Sequence, residues 1–270
     1  MSDLLAHAEN LWLAIAPSVP DFTVEILPSV DSTNSELMRR ARTGLIDPVL
    51  LAADEQTAGR GRMGKEWHSS RVAGQSLTFS LAMPLAPADW SGLSLAVGVS
   101  IAESLHPDVR LKWPNDVWFQ GRKLGGILVE TAHMGQGAGA PRLVVAGVGI
   151  NIARPATTSL PQPDAATVAG MAPVAPAGLA ELCVGQTAGE TLEAVAPALA
   201  RDLQRFAAHG FSAFATRFAQ RDALAGRPVR LSDGREGVAN GVDATGALQL
   251  KLESGDTVSV TSAEVSVRPC

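Results

Sequence analysis

Four apolar segments that follow one another between residues 109 and 150 restrict the fold of this 270-residue chain more than any other feature. They span residues 109–113, 117–119, 123–131 and 143–150. Strands joined by short links pair in an antiparallel sheet, because a parallel connection needs about a dozen residues or more. The sequence therefore predicts antiparallel hairpins in the middle of the chain.

Helices and further strands are expected on both sides of these hairpins. Strands are predicted at residues 24–30 and 49–53, and from Ser76 onward, where apolar and polar residues alternate. Helices are predicted at residues 4–16, after residue 33 up to 42, at 91–105 and within 179–222. Thr33 and Glu36 have the spacing of a capping box at the start of the second helix. This pattern is typical of an α+β domain built on a mixed or antiparallel sheet.

Beyond residue 222 the sequence changes to short apolar segments separated by Asp233-Gly234, Thr245-Gly246 and Ser254-Gly255. Turns at this spacing predict a small β-barrel. We place the boundary near residues 223–226, which gives a larger domain over residues 1–222 and a smaller one over 223–270. Residues 134–141 and 154–178, rich in Gly, Ala or Pro, are predicted to be connecting segments without chemistry.

The composition limits the classes of function. A hydrophobic content of 46% supports a packed core, and a net charge of −5 with a pI near 5.6 argues against a surface made for nucleic acid. No uninterrupted apolar run is long enough for a membrane span, and the N-terminus lacks the pattern of a secretory signal. Cys183 and Cys270 are expected to be free thiols. These features predict a cytoplasmic protein that binds neither DNA nor membranes.

A basic, glycine-rich loop at residues 59–64 is the first candidate for chemistry. It reads Gly-Arg-Gly-Arg-Met-Gly. Glycine lets backbone amides approach a ligand, and guanidinium groups match phosphate or carboxylate oxygens, so the loop is a candidate anion clamp. It is neither a Walker loop nor a dinucleotide fingerprint. A solvated, mobile surface loop is the alternative interpretation.

Two further segments carry polar side chains. The segment Lys112-Trp113-Pro114-Asn115-Asp116 lies at a predicted strand end, and Lys123 follows one hairpin later. Two lysines, an amide and a carboxylate are suited to binding phosphate, holding Mg²⁺ through oxygen and orienting an amine nucleophile. A charged hairpin tip with its tryptophan in the core is the alternative. The third segment, Gly147-Val148-Gly149-Ile150-Asn151, ends an apolar strand and is a weak signal by itself.

Together these segments resemble the biotin protein ligase family. The resemblance rests on DSTN at residues 31–34, EQTAGRGRMG at 55–64, KWPNDVWFQGRKLGGILVE at 112–130, GVGIN at 147–151 and EVSVR at 264–268. It implies a class II synthetase-like catalytic domain followed by a small SH3-like β-barrel. It also implies an enzyme that forms biotinyl-5′-AMP from biotin and ATP, and then transfers biotin to one lysine of a biotin carboxyl carrier protein.

The resemblance assigns catalytic roles to four residues that match the family's motifs. Arg60 and Arg62 match arginines of a loop that closes over biotin and the adenylate. Lys123 matches a lysine that contacts the carboxyl and phosphate oxygens. Asp116 matches an aspartate that orients or deprotonates the incoming carrier lysine. Charge stabilisation and proton transfer of these kinds suit a reaction that joins two anions.

The resemblance implies binding residues in the same way. The residues that would surround biotin are Ser32, Thr33, Asn34, Gln56, Arg60, Gly61, Arg62, Lys123 and Gly126. The residues that would contact ATP are Arg62, Trp67, Lys112, Asn115, Asn151 and Arg268. Spacing alone gives no metal site, and Mg²⁺ is expected near Asn115 and Asn151.

Two departures from the family pattern bear on function. Met63 stands where many of these ligases have a further basic residue. Bifunctional members carry an N-terminal DNA-binding winged helix, for which the residues before the resemblance leave no room, so a monofunctional ligase is expected. The alternatives are a lipoate or octanoate ligase of the same wider fold, and a non-catalytic biotin or nucleotide sensor. A homodimer that pairs through an exposed sheet edge is also compatible with such a fold.

Overall fold

The computed structural model describes residues 2–70, 72–135, 140–155, 175–261 and, for the backbone alone, 268–269. Within these residues a large mixed sheet carries helices on both faces, and a smaller antiparallel sheet lies near the C-terminus. None of the described helices is long and apolar enough to cross a membrane. The predicted α+β fold is confirmed.

The large sheet contains the hairpins that the sequence predicts. Its strands are β1 (Thr23–Val30), β2 (Val49–Gln56), β3 (Ser76–Leu85), β4 (Arg110–Lys112), β5 (Asp116–Phe119), β6 (Arg122–His133) and β7 (Arg142–Asn151). Their order is β1-β2-β3-β7-β6-β5-β4, and only β1 and β2 pair in parallel among the described strands. The antiparallel hairpins between residues 109 and 150 are therefore confirmed.

Two long helices cover one face of this sheet. The α-helices among the described residues are α1 (Asp3–Ala6), α2 (Ala8–Ile15), α3 (Thr33–Arg42), α4 (Leu93–Leu105), α5 (Ala188–His209) and α6 (Ala215–Ala219). Helix α4 is apolar on most of its surface and packs against α5, as expected of a helix enclosed by other elements. Helix α5 begins with a capping box, in which Thr187 and Glu190 each accept a backbone N–H from the other.

Helix α3 lies on the opposite face and directs its first residues toward the site described below. Leu37 is its main buried apolar residue on that face. Its N-cap is Ser32, whose hydroxyl accepts the backbone N–H of Ser35. The capping box predicted at Thr33 is wrong, because Thr33 is already helical and Glu36 instead forms ion pairs with arginines of the same helix.

Two helical predictions require correction. The single helix expected over residues 4–16 is broken at His7, which ends α1 and precedes α2. The region 179–222 contains α5 and α6. A 3₁₀ turn at Leu179–Glu181 precedes α5, and a second one at Phe211–Ala213 separates the two helices. A periodic apolar pattern continues across such breaks, so it does not reveal where the backbone changes direction.

The second sheet packs against the first part of the chain. Its strands are β8 (Pro228–Arg230), β9 (Glu236–Val242), β10 (Leu248–Lys251), β11 (Thr257–Val260) and β12 (Arg268–Pro269), in the order β11-β10-β9-β8-β12. Its buried Val229 and Leu250 belong to the same apolar cluster as the core of the large sheet. The boundary predicted near residues 223–226 stays a prediction. Parts of the predicted connecting segments, residues 136–139 and 156–174, lie outside the described residues.

Candidate active site

A cavity of 330 Å³ lies between the N-terminus of α3, the basic loop and strands β5, β6 and β7. The predicted residues that line it are Ser32, Thr33, Asn34, Gln56, Arg60, Gly61, Arg62, Trp67, Lys112, Asn115, Asp116, Lys123 and Gly126. Its volume lies within the range of about 300–1,000 Å³ that is usual for small-molecule sites. The fold therefore gathers five separate sequence segments into one cavity.

Some lining residues were not predicted from the sequence. They include Met63, Lys65, Glu66, Leu128, Gly147 and Gly149. The glycines stand in the GVGIN segment, in which the sequence analysis assigned a role to Asn151 alone. Leu128 follows Gly126 by two positions on β6, so the two-residue period of a strand is the signal that places both on the same face.

The turn before α3 holds the polar end of the cavity in place. Asp31 accepts the backbone N–H of Ser32 at 2.7 Å and forms an ion pair with Arg39 at 2.6 Å. Hydrogen bonds from Arg39 lower the pKa of Asp31 to about 2, so this carboxylate remains charged at neutral pH. Thr33 and Asn34, which follow, are each only 3% exposed. Their side chains are thus fixed polar groups at the cavity rather than solvated ones.

A buried hydrogen-bond network connects these groups to the sheet. Gln56 Oε1 accepts from the backbone N–H of Thr33 at 2.8 Å and from its hydroxyl at 3.1 Å. Ser80 Oγ lies 2.7 Å from Thr33 Oγ1 and 2.6 Å from Asn34 Oδ1. Asn34 Nδ2 donates to the carbonyl of Leu128 at 3.0 Å. Such a network holds its side chains in single orientations before any ligand binds.

The basic loop forms a small hairpin over the cavity. Arg60 and Glu66 form an isolated antiparallel bridge, and the N–H of Gly61 donates to the carbonyl of Lys65 at 2.6 Å. Met63 occupies the left-handed region at a φ of 57° and is 62% exposed. Arg60 and Arg62, with Gly61 between them, therefore lie on a compact turn that ends in the exposed side chain of Met63.

Trp67 anchors the C-terminal end of this loop on the sheet. Its backbone N–H donates to the carbonyl of Gly59 at 2.9 Å. A Cβ added at Gly149 would lie 2.4 Å from the indole ring of Trp67, closer than any real contact. Glycine in the middle of β7 is thus explained by the close approach of this ring.

Lys123 and Asp116 form an ion pair on two neighbouring strands. Lys123 Nζ lies 2.6 Å from Asp116 Oδ1, and the lysine is 44% exposed while the aspartate is 21% exposed. Burial lowers the pKa of the Arg62 guanidinium, and the nearby Asp116 carboxylate opposes that shift. Asp116 therefore lies between two cations at the edge of the cavity.

The hairpin that carries Asp116 also positions a lysine and an amide. Lys112 Nζ lies 4.8 Å from the centroid of the Trp118 ring, within the distance of a cation–π contact. Asn115 Nδ2 donates to the carbonyl of Ile127 at 2.9 Å, and the N–H of Ile127 donates back to the carbonyl of Asn115 at 3.0 Å. These contacts fasten the hairpin to β6 at the cavity wall.

Of the predicted nucleotide-binding residues, Asn151 does not line the cavity, and the position of the Arg268 side chain stays a prediction. Asn151 is 4% exposed and does not line the cavity, because its Nδ2 donates to the carbonyl of Ala177 at 3.1 Å. In the structure this amide holds the chain after β7 rather than facing a ligand. Arg268 lies on β12, and its side chain falls outside the described residues.

The charges of the cavity favour an anionic ligand. Among the described lining residues five are basic, Arg60, Arg62, Lys65, Lys112 and Lys123, and two are acidic, Glu66 and Asp116. Fixed cations above hydroxyl and amide groups can hold a ligand that has phosphate or carboxylate at one end and a neutral polar group at the other. No group of three or more His, Cys, Asp or Glu that could hold a metal occurs among the described residues.

Comparison with known proteins identifies relatives of this chain. Residues 26–151 match the model of the Biotin/lipoate A/B protein ligase family, and residues 225–268 match that of the Biotin protein ligase C terminal domain. The chain is 34% identical to a biotin–[acetyl-CoA-carboxylase] ligase of Paracoccus denitrificans, over 89% of this chain and 98% of the relative. It is also 34% identical to the bifunctional ligase/repressor BirA of Escherichia coli (strain K12), over 90% of this chain and 75% of the relative.

The fold is similar to solved structures as well. The biotin protein ligase from Aquifex aeolicus in complex with biotin and ATP has a TM-score of 0.67 and 26% sequence identity, over 92% of this chain and 99% of that chain. The Paracoccus relative is matched over almost its whole length. The chain therefore belongs to the biotin protein ligase family.

Proposed function

We propose that this chain is an ATP-dependent ligase that forms biotinyl-5′-AMP from biotin and ATP and transfers biotin to a lysine of a biotin carboxyl carrier protein. The main support for this proposal is that five basic side chains and a fixed network of hydroxyl and amide groups line the same cavity. The similarity to an Aquifex aeolicus ligase with biotin and ATP bound supports it.

The first half-reaction joins two anions. An oxygen of the biotin carboxylate attacks the α-phosphorus of ATP, a new acyl oxygen–phosphorus bond forms, and pyrophosphate leaves with the electrons of the broken bond. Repulsion between carboxylate and phosphate is the main barrier to their approach, so fixed positive charge is the main catalytic requirement. We assign that charge to Arg60, Arg62 and Lys123, which line the same cavity.

The second half-reaction needs a neutral amine. The carrier lysine attacks the acyl carbon of the adenylate, an amide bond forms, and AMP leaves with the electrons of the acyl oxygen bond. The amine must lose a proton before or during attack. We assign Asp116 to orient this amine, with Lys123, 2.6 Å away, stabilising the charge that develops on the departing AMP.

The side chains of Ser32, Thr33, Asn34 and Gln56 form the polar floor of the cavity, which is suited to the neutral end of biotin. Its ureido group has two N–H donors and one carbonyl acceptor, which hydroxyl and amide side chains complement. Ser32, Thr33 and Gln56 are the side chains that we assign to this recognition. Asn34 already bonds to Leu128 and lies 2.6 Å from the Ser80 hydroxyl, so we assign it to hold the floor in shape.

Mg²⁺ is part of this proposal only as a companion of ATP. Magnesium takes oxygen ligands and usually binds through substrate phosphates, water and one or two protein groups. Asn115 and Asp116 supply such oxygens at the cavity wall, whereas the amide of Asn151 holds Ala177. When bound, the ion would neutralise phosphate charge alongside the basic side chains.

The protein partner follows from the same proposal. The relative from Paracoccus denitrificans is named for acetyl-CoA carboxylase, and we propose a carrier subunit of this kind as the substrate. A homodimer stays a prediction. Strands β1 and β4 lie at the two edges of the large sheet, and an edge strand is where a second strand pairs.

Incubation of the chain with an apo carrier domain, ATP, Mg²⁺ and either biotin or lipoate tests the proposal. We expect the carrier mass to rise by the mass of biotin less one water. Labelling by lipoate alone would instead favour a lipoate ligase. Formation of adenylate without carrier labelling would favour a sensor. The family model over residues 26–151 includes both ligase types, whereas the one over residues 225–268 describes biotin ligases, which favours biotin.

A further inference from the structure

Glu130 on β6 connects the basic loop to the floor of the cavity, although it does not line the cavity itself. Its Oε1 lies 3.0 Å from Arg60 Nη2, and its Oε2 accepts from Arg60 Nη1 at 3.4 Å. The same Oε2 accepts from Asn34 Nδ2 at 3.0 Å. One carboxylate therefore binds both an arginine of the loop and a buried amide at the start of α3.

The two sides of this contact differ in rigidity. Asn34 is 3% exposed, and its amide is held by hydrogen bonds to the carbonyl of Leu128 and to Ser80. Glu130 lies within a strand that pairs with β7 along most of its length. Arg60, by contrast, is 47% exposed on a glycine-rich loop. The buried side of the contact therefore positions the exposed side.

The ion pair leaves part of Arg60 available for a ligand. An arginine has five N–H donors. The contacts to Glu130 and one bond from Nη1 to Ser35 Oγ at 3.1 Å engage only the two terminal nitrogens. A guanidinium held on one side in this way can bind an anion on another side without first losing its partner, which lowers the entropy lost when the loop closes.

We propose that Glu130 is a positioning residue for ligation, which holds Arg60 over the cavity so that the loop retains the bound adenylate. This inference rests on the proposed function. The loop has two anchors on the sheet. Trp67 rests on Gly149 at one end, and Arg60 is held by Glu130 at the other. Loss of the second anchor opens the end of the loop that covers the reactive intermediate.

The test measures how fast biotinyl-5′-AMP leaves the full-length protein after it is loaded with biotin, ATP and Mg²⁺. We expect Glu130→Gln to accelerate release about three- to fivefold, the size expected for loss of one partly exposed ion pair. Arg60→Gln should accelerate release at least as much. If Glu130 acts through Arg60, the double variant should release at the rate of Arg60→Gln alone, because coupled sites are not additive.

Glu103→Gln is the matched control. Glu103 is 33% exposed and forms an ion pair with Arg217 at 2.7 Å, which joins helices α4 and α6. Its release rate should equal that of the wild type, and the thermal unfolding midpoint of Glu130→Gln should match that of this control. An additive effect in the double variant would overturn this inference, and so would unchanged or slower release from Glu130→Gln. Neither result would contradict the proposed function. If the wild type forms no adenylate, the proposed function fails, and this inference with it.

Discussion

Lys123 and Asp116 face the cavity from adjacent strands because the β5–β6 pairing contains an irregularity between Val117 and Trp118. The sequence predicted both residues through the resemblance, but their separation of 2.6 Å follows only from the register of the two strands. Because a lysine, a carboxylate and the Arg62 guanidinium share this place, each changes the electrostatic surroundings of the others. A single substitution at Lys123 or Asp116 should therefore change the rate of the reaction more than the stability of the fold, because neither side chain is fully buried.

Replacement of Lys123 by alanine should abolish most adenylation while the fold is retained. The side chain is 44% exposed, so its loss leaves no buried cavity. We expect pyrophosphate release to fall about 100-fold or more, as when one preorganised charge-stabilising donor is removed. Lys251→Ala, an exposed lysine on β10, should leave the rate unchanged. A decrease smaller than tenfold for Lys123→Ala would contradict the role assigned to it.

Asp222 provides a prediction of pH dependence away from the cavity. Burial raises the pKa of its carboxyl, and Oδ2 finds no hydrogen-bond partner among the described residues. The folded protein therefore holds this proton more tightly than the unfolded chain does, so stability is lost as pH rises from the ordinary value of 3.8 through the raised one. Asp222→Asn removes that loss.

We expect Asp222→Asn to raise the free energy of unfolding at pH 7 by about 1 kcal/mol, the lower range for relieving a buried group without a partner. The advantage should shrink as the pH approaches 4. Urea unfolding at pH 4, 5.5 and 7 measures both effects. Lower stability of the variant at pH 7 would show that the carboxylate is better satisfied than the structure indicates.

At the scale of elements, the position of β7 under the loop explains why two glycines stand in GVGIN. Gly147 leaves room for Asn34 and Gly149 leaves room for Trp67, so the strand admits a residue from α3 and one from the loop on the same face. Neither contact is local in sequence. The apolar run at residues 143–150 predicts the strand but not which side chains approach it.

Gly149→Ala should displace the Trp67 ring and weaken ligand binding. The added Cβ would lie 2.4 Å from the ring, so the loop must shift. We expect the affinity for biotin, measured by calorimetric titration in the presence of a non-hydrolysable ATP analogue, to fall about tenfold, or ~1.4 kcal/mol. Gly98→Ala on α4 is the control, because its Cβ meets only the ends of the Leu111 and Ile127 side chains, at 3.2 and 3.5 Å. Equal affinities of the two variants would contradict the anchoring role of Trp67.

The sequence predicted the elements better than it predicted their contacts. The hairpins between residues 109 and 150 follow from short apolar segments and short links, both of which are local features of the sequence. The start of α3 was misplaced by one residue because Ser32 and Thr33 are both good N-caps, and only the backbone angles distinguish them. The ion pair of Arg60 with Glu130 joins residues 70 positions apart, so no local pattern indicates it. The same reason explains why Asn151 was predicted at the nucleotide although its amide holds Ala177.

At the scale of the whole molecule, the small sheet supports the hairpin that carries Asp116. The indole N–H of Trp113, which is 3% exposed, donates to the carbonyl of Gly246 at 3.0 Å. Backbone bonds join Leu111 to Arg221 and Ala223 in the segment before the small sheet. Because their apolar residues also form one buried cluster, the two sheets should unfold together.

Trp113→Phe should lower stability while both sheets still melt in one transition. The substitution removes the donor and leaves the carbonyl of Gly246 without it, for which we expect a loss of about 1–3 kcal/mol. Differential scanning calorimetry measures the number of transitions and the shift of the midpoint. Two separate transitions in the wild type would show that the small sheet is an independent unit and does not support the hairpin.

If this cavity joins biotin to AMP, the protein should retain the product when no carrier is present. The wild-type chain is mixed with biotin, ATP and Mg²⁺ without any carrier, separated from free ligands by gel filtration, and denatured for mass analysis of what it held. We expect close to one biotinyl-5′-AMP for each chain, with pyrophosphate released in equal amount, and far less of both from Lys123→Ala after the same incubation. Retention of unreacted biotin and ATP alone by the wild type, or of a lipoyl adenylate when lipoate is offered in competition with biotin, would contradict this expectation.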